Sequence, residues 1–334
     1  MNYIGSKYSL LDFIHETISE VTGYRSGDEY VFADLFAGTS VVGASYRKKG
    51  CKVISNDIQY YSYVISKYFI ESSQKIDDSI VNDLNALDGV EGFIFNNYCN
   101  GSGSGRNYFT DYNGKKCDAI RIEIERLFKN NIISEETYFG LLAGLINSID
   151  KYANTASVYG AFLKKVKKSA QKHFYLEILP EISGPKGKVY NEDINKLITR
   201  VQGDVLYLDP PYNSRQYCSN YHVLETIARY DNPVLRGKTG LRSANEQKSK
   251  YCSKKTLESE FEYLIKNAEF KYIFLSYNNE GLMSVEKIKD IMSNYGVYKC
   301  FTKSYKRFKA DTEKNRNILG SKTTEYIHCL TKEV

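Results

Sequence analysis

Asp209-Pro210-Pro211-Tyr212 closes the apolar run Val205-Leu206-Tyr207-Leu208. A buried-strand pattern that runs into an acid, two prolines and an aromatic carries a small set of chemical tools. Proline fixes φ and has no N–H, so the carbonyls of this turn are held rigid and can only accept. Asp209 adds a side-chain acceptor and Tyr212 a flat π face. Together they suit a planar group that carries an NH2.

A second set of candidates lies near the N-terminus. Asp34-Leu35-Phe36-Ala37-Gly38-Thr39-Ser40 joins a predicted strand to a predicted helix, the place where open α/β sheets bind ligands. A dinucleotide fingerprint needs G-x-G-x-x-G, and a P-loop needs Lys-Ser/Thr after its last glycine. Here only Gly38 and Gly43 are present, and Ala44-Ser45 follows. Neither phosphate cradle is complete, which favours a nucleoside ligand without phosphates. Asp57, followed by Ile58, closes the next predicted strand about 20 residues after this turn, where a carboxylate can pair with ribose hydroxyls. Lys7, after Gly5-Ser6, offers a cation for a ligand carboxylate, although a lysine in such a segment, taken alone, is more often just solvated. Asp193 offers an acceptor for an adenine amino group, or simply an acid at a helix N-terminus.

The elements that must position these residues alternate. Helical periodicity covers 10–21, a strand 30–36, a helix 39–48, and a strand 52–56 with a helix after Ile58. After a short strand-like 188–190, further strands are predicted at 205–208, 272–277, 297–303 and 325–330. Strand–helix alternation implies a parallel sheet. The middle differs: a Gly/Ser loop at 100–105, helical runs at 117–130 and 135–149, and the basic run Lys164-Lys165-Val166-Lys167-Lys168. The simplest architecture is an α/β domain, residues 1–75 and 188–334, split by a mainly helical insertion, 76–187.

Composition narrows the class. In 334 residues, 42% hydrophobic, no apolar run approaches the ~20 residues of a membrane span. The first residues lack the apolar stretch of a signal peptide, and the 7 cysteines are scattered without a C-x-x-C pair, which fits reduced thiols in the cytoplasm. The 4 histidines show no H-E-x-x-H spacing, so no metal site is expected. A net charge of +6 is too mild for a general polyanion binder unless it is concentrated locally.

Asn2-Tyr3-Ile4-Gly5-Ser6-Lys7, Asp34-Leu35-Phe36-Ala37-Gly38-Thr39 and Asp209-Pro210-Pro211-Tyr212 together resemble the Dam-like adenine-N6 DNA methyltransferases. They are similar, in turn, to that family's N-terminal cofactor motif, its F-x-G-x-G loop and its catalytic D-P-P-Y. Ser40 stands where the loop's second glycine is expected. The extension Asn213-Ser214-Arg215-Gln216-Tyr217 looks more like the methyltransferases of type II restriction-modification systems. The resemblance implies a Rossmann-like α/β methyltransferase sheet with helices on both faces, the insertion serving as target-recognition domain. It implies S-adenosylmethionine as cofactor, held by Tyr3, Lys7, Asp34, Phe36, Ala37, Gly38, Thr39, Ser40, Asp57, Ile58, Asp193, Ile194 and Asp209. Asp209, Pro210, Pro211 and Tyr212 are then catalytic, the target is a flipped-out adenine in double-stranded DNA, and a cognate restriction endonuclease is a candidate partner.

DNA contacts are expected from Arg215, Tyr217 and the turn-rich segment with Arg236, Lys238, Arg242, Lys248, Lys250, Lys254 and Lys255, in which Glu246 is the one acid. Lys164, Lys165, Lys167 and Lys168 form a second basic cluster, and Arg106, Lys115, Lys116 and Arg121 a looser third. Asn147, Asp150, Lys151 and residues 152–155 are candidate base readers. Such runs are about equally often solvated surface, and the nearby base-flipping motif favours DNA. The competing readings are an RNA adenine or cytosine-N4 methyltransferase and a non-catalytic DNA-binding subunit. Cytosine-N4 enzymes resemble S-P-P-Y more, so Asp209 favours adenine.

Overall fold

A computed structural model describes residues 3–306 and 322–332. Asn2, the first residue of the N-terminal motif, lies outside them. Among the described residues, seven strands form one sheet: β1 (Val31–Asp34), β2 (Lys52–Asn56), β3 (Lys188–Tyr190), β4 (Gln202–Leu208), β5 (Glu269–Asn278), β6 (Val297–Lys306) and β7 (Lys322–Thr331). Their order is β3-β2-β1-β4-β5-β7-β6. The first five run parallel, as the alternation predicts. The last two depart from it, because β7 inserts between β5 and β6 and pairs antiparallel with both. Chain-adjacent strands can pair antiparallel without the crossover a parallel pair requires, so the sheet is mixed.

The helices along the chain are α1 (Leu11–Thr22), α2 (Val41–Lys48), α3 (Tyr60–Ser66), α4 (Asp78–Ala86), α5 (Phe93–Tyr98), α6 (Asp111–Lys129), α7 (Glu135–Lys151), α8 (Ile194–Leu197), α9 (Tyr217–Asn220), α10 (His222–Arg229), α11 (Leu257–Asn267) and α12 (Val285–Ser293). None of these is long and apolar enough to cross a membrane.

The chain divides into two compact units. The sheet unit takes Ser6–Ile58, Ile182–Gln216 and Lys248–Val334; the helical unit takes Met1–Gly5, Gln59–Glu181 and Tyr217–Gln247. In the sheet unit, successive strand side chains alternate between faces. Ala33, Leu206, Leu208, Ile273 and Leu275 pack on one side against Leu197 of α8, Leu264 of α11 and Ile288 of α12. On the other side Phe32 stacks on Tyr46 of α2, ring centroids 3.8 Å apart. His15 of α1 meets the same tyrosine edge-on at 5.1 Å. Helices therefore cover both faces of a Rossmann-like α/β sheet. Each fully buried apolar side chain contributes about 1.5–3 kcal/mol.

The helical unit is built on α6 and α7. Their first turns are capped by Thr110, which accepts from Asn113 N, and Ser134, which accepts from Thr137 N. These compact units do not coincide with the segments 76–187 and 1–75 plus 188–334. The reason lies in α3, whose Tyr61, Val64 and Ile65 enter the helical core, and in α10, whose Val223, Leu224, Ile227 and Ala228 are fully buried there. Arg121 of α6 fastens the end of α10 by donating to Ile227 O (3.1 Å) and Ala228 O (3.1 Å).

Candidate active site

Chain progression across the sheet reverses at β1, which has β2 on one side and β4 on the other. In open α/β sheets the crevice beyond the strands' carboxyl ends at such a point holds ligands. Asp34 ends β1 in register with Ser55 and Tyr207, and Asp209 follows β4 by two residues beyond Tyr207. The fold thus brings both sequence motifs to one sheet edge.

The turn after β1 is fixed by backbone contacts. Gly38 has φ +52° and Ser40 φ +57°, a left-handed conformation that disfavours non-glycine residues by roughly 1–2 kcal/mol. Serine therefore occupies a position whose backbone suits the glycine expected there, and keeps the conformation while fully buried. Gly38 N donates to Asp57 Oδ2 (2.8 Å), and Gly43 N in the first turn of α2 donates to Asp34 Oδ2 (3.0 Å). Thr39 sits half-buried between the two positive-φ residues. Asn56, not singled out from the sequence, ties three loops together. Its Nδ2 donates to Leu35 O (3.2 Å) and Glu192 O (3.2 Å), its Oδ1 accepts from Glu192 N (3.1 Å), and its carbonyl accepts from Ala37 N (3.0 Å). Its only trace in the sequence is a polar residue closing an apolar strand.

Three carboxylates meet here. Burial pushes Asp34 up to about 7, with Asp209 and Asp57 adding like charge and the Gly43 N–H opposing them. Asp209 is also raised, first by burial, with Lys7 pulling it down and Glu325 pushing it up. No group of three His, Cys, Asp or Glu among the described residues is arranged to hold a metal.

Around Asp209 the structure assembles a cluster that local sequence does not show. Lys7 Nζ lies 3.0 Å from Asp209 Oδ1 and 3.4 Å from Glu325 Oε1, and donates to Tyr212 OH at 2.8 Å. Tyr212 OH lies 2.7 Å from Asp209 Oδ1 and 2.8 Å from Glu325 Oε1. Ser276 Oγ donates to Glu325 Oε1 at 2.7 Å. Lys7 and Glu325 are buried, 5% and 1% exposed, while Asp209 keeps 18%. Lys7 is therefore the counter-ion of the Asp-Pro-Pro-Tyr turn. The ring of Tyr212 leans on Tyr277, centroids 4.9 Å apart; Pro210 is buried and Pro211 half-buried.

The remaining expected cofactor residues are spread around this crevice or fall elsewhere. Phe36 meets Tyr251 edge-on at 5.1 Å, and Ile58 is half-buried. Asp193 caps α8, its Oδ1 accepting from Asn195 N (3.0 Å) and Lys196 N (3.3 Å), and Ile194 lies in the sheet core. Tyr3 belongs to the helical unit, where it stacks on Tyr221 at 4.7 Å.

The basic residues separate into occupied and exposed. Arg242 forks Asp231 at 2.9 and 2.6 Å, and Lys250 pairs with Glu260 at 2.9 Å. Arg106 donates to Asn97 O, Gly237 O and Lys238 O, and Lys116 to Asn85 O and Leu87 O. Asp150 accepts from Tyr159 OH at 2.8 Å, and Asn154 is buried in contacts with Asn107 O, Leu163 O and Lys167 N. Lys164, Lys165, Arg215, Arg236, Lys238, Lys248, Lys254 and Lys255 stand exposed, and Tyr217 is half-buried with its hydroxyl on Ile4 O (3.1 Å).

Against known proteins, the family described as "D12 class N6 adenine-specific DNA methyltransferase" matches residues 3–291. The chain is 50% identical to the type II methyltransferase M.NlaIII of Neisseria lactamica, covering 99% of both chains. It is 40% identical to the type II methyltransferase M.FokI of Planomicrobium okeanokoites, covering 100% of this chain and 53% of that one. It is 36% identical to the type II methyltransferase M.CviAII of Paramecium bursaria Chlorella virus 1, over 98% of this chain and 97% of that one. The chain thus matches M.NlaIII and M.CviAII end to end and spans about half of M.FokI.

Proposed function

The chain belongs to the D12 class of N6 adenine-specific DNA methyltransferases, and from that premise we propose how its residues divide the work. It is a site-specific DNA adenine methyltransferase that uses S-adenosylmethionine. The crevice suits that cofactor: it lacks a phosphate cradle and concentrates the charge of Asp34, Asp57 and Asp209, which a cationic nucleoside relieves. We assign Asp57 to the ribose hydroxyls, the Gly38 turn to the cofactor's close approach, and Asp34 to its positive end. When bound, S-adenosylmethionine supplies an electrophilic methyl group on a sulfonium.

The rest is done by the chain. Adenine N6 is a poor nucleophile because its lone pair is delocalised into the ring. Hydrogen bonds from its two N–H groups to Asp209 and the Pro210 carbonyl draw the nitrogen toward tetrahedral geometry and localise that pair. The protein contacts of Asp209 fall on Oδ1, so the amine is assigned to Oδ2. Positioning and preorganised charge carry the acceleration. Duplex DNA hides N6, so the base is extruded at a cost of a few kcal/mol. The Tyr212 face then stacks on it, a contact worth roughly 1–3 kcal/mol.

The observation that carries this assignment is Asp209 beside Asp34 at the switch point, with Oδ1 held by Lys7 and Tyr212. Tritiated methyl transfer to unmethylated plasmid tests it. Asp209→Ala is expected to keep binding S-adenosylmethionine, weakened only by the charge it removes, and to transfer no methyl; substantial residual turnover overturns the role. We further propose double-stranded DNA as the form of the substrate, the helical unit as the target reader, and work in the cytoplasm within a restriction-modification system. The type II names of the relatives support the last of these. Methylation-sensitive long-read sequencing of an expressing host is expected to show one methylated sequence; scattered N6-methyladenine without a shared site would refute site specificity.

A further inference from the structure

A phenol has one proton, yet Tyr212 OH sits at 2.7 Å from Asp209 Oδ1 and 2.8 Å from Glu325 Oε1. Its oxygen also accepts from Lys7 at 2.8 Å. A buried glutamate and a partly exposed aspartate therefore compete for one hydroxyl, and the hydroxyl donates to only one of them at a time. Lys7 compensates one negative charge, so the cluster carries an excess of one when both carboxylates are ionised. Ser276 satisfies part of Glu325 through Oε1, while Glu325 Oε2 is buried without a hydrogen-bond partner among the described residues. Glu325 thus gathers all its partners on one oxygen and leaves the other unsatisfied, although removing a charge from water costs several kcal/mol unless its oxygens are satisfied.

We propose that Glu325 is a positioning residue for methyl transfer, which shares the Tyr212 phenolic proton with Asp209 and so sets how strongly Asp209 accepts from the target amine. This rests on Asp209 being the acceptor. When the phenol turns its proton to Glu325, Asp209 Oδ1 keeps only Lys7, and the carboxylate presents more negative charge to N6. When the proton returns to Asp209, that charge is damped. Tyr212 thus has a second task beyond its ring, carried by the hydroxyl. Among the described residues, the other charged and titratable groups near the pair include Asp34 at the end of β1, Tyr207 on β4, Tyr277 against the Tyr212 ring, and Lys303, register partner of Glu325 on β6.

The test is the pH dependence of single-turnover methyl transfer by the full chain on a duplex carrying its site, for the parent, Glu325→Gln, Tyr212→Phe and the double variant. Glutamine keeps the size and an acceptor but removes the charge, so the acid limb of the single-turnover rate constant moves to lower pH as Asp209 loses a like-charged neighbour. The plateau falls about tenfold while the affinity for S-adenosylmethionine holds. In the Tyr212→Phe background Glu325→Gln has little further effect on the plateau, because the shared proton is already gone. An unmoved acid limb, or plateau losses that simply multiply in the double variant, overturns the proposal. A loss that tracks a lowered Tm in Glu325→Gln, with the limb unmoved, also overturns it by leaving Glu325 a purely structural part. Asp209→Ala run alongside separates the two readings: turnover there sinks the acceptor role itself, whereas its loss with an unmoved Glu325→Gln limb sinks only the shared proton.

Discussion

On the assignment proposed above, Asp34 couples stability to ligand binding. Its folded pKa of about 7 lies above the ordinary unfolded value of about 3.9, so the folded chain holds the proton more tightly than the unfolded one. Stability from this group is complete below the unfolded value and is lost as pH rises through about 7. Asp34→Asn keeps an oxygen to accept from Gly43 N and removes the charge. The unliganded variant is expected to show a flatter Tm between pH 5 and 8, and a higher Tm than the parent at pH 8. A cationic ligand favours the carboxylate, so parent affinity for S-adenosylmethionine should strengthen as pH rises through 7, and the variant's should be weaker and level. Calorimetric titration across that range checks both; a variant as sloped as the parent refutes the assignment. Asp34 and Asp209 were readable from sequence because each ends an apolar run within a recognisable motif. Glu325 was not: it lies 116 positions after Asp209 in the chain, and only the insertion of β7 beside β5 delivers it.

At the scale of elements, Asp193 joins β3 to α8 and carries two candidate tasks. As a cap its Oδ1 serves Asn195 N and Lys196 N, and losing such a cap costs about 0.5–2 kcal/mol. As an adenine acceptor it would need its charge or its second oxygen for a ligand. Asparagine caps about as well as aspartate, which separates the tasks. Asp193→Asn is expected to leave Tm within error of the parent and weaken S-adenosylmethionine binding several-fold, whereas Asp193→Ala lowers both. Unchanged affinity in Asp193→Asn would leave Asp193 a cap alone. The parallel strands were legible because short apolar runs alternate with helical periods. The position of β7 was not, since periodicity records which residues face a core and not which strand lies alongside. The membership of α10 in the helical unit escaped for the same reason: its buried face is visible in the spacing, its partner Arg121 is not.

For the whole molecule, charge decides how the enzyme meets DNA. Counting lysines and arginines in sequence overstates the phosphate-binding surface, because long-range pairing is invisible there. Arg242 looks like a phosphate ligand until its fork on Asp231 appears, with its side chain only 7% exposed. Lys250 is likewise engaged by Glu260. Lys248, Lys254 and Lys255 remain exposed in the same stretch, so they should carry whatever phosphate contact the segment makes. Each contact removed lowers the slope of log K against log salt by about 0.9. Replacing these three by glutamine is therefore expected to flatten the slope by up to about 3 while leaving Tm and the methylated sequence unchanged, since phosphate contacts position without specifying. Arg242→Ala should do the reverse, lowering Tm and leaving the slope alone. Filter binding of the duplex from low to moderate salt, beside thermal melts, measures both. If Arg242→Ala flattens the slope and the triple lysine variant does not, the phosphates lie against a surface other than this exposed lysine segment.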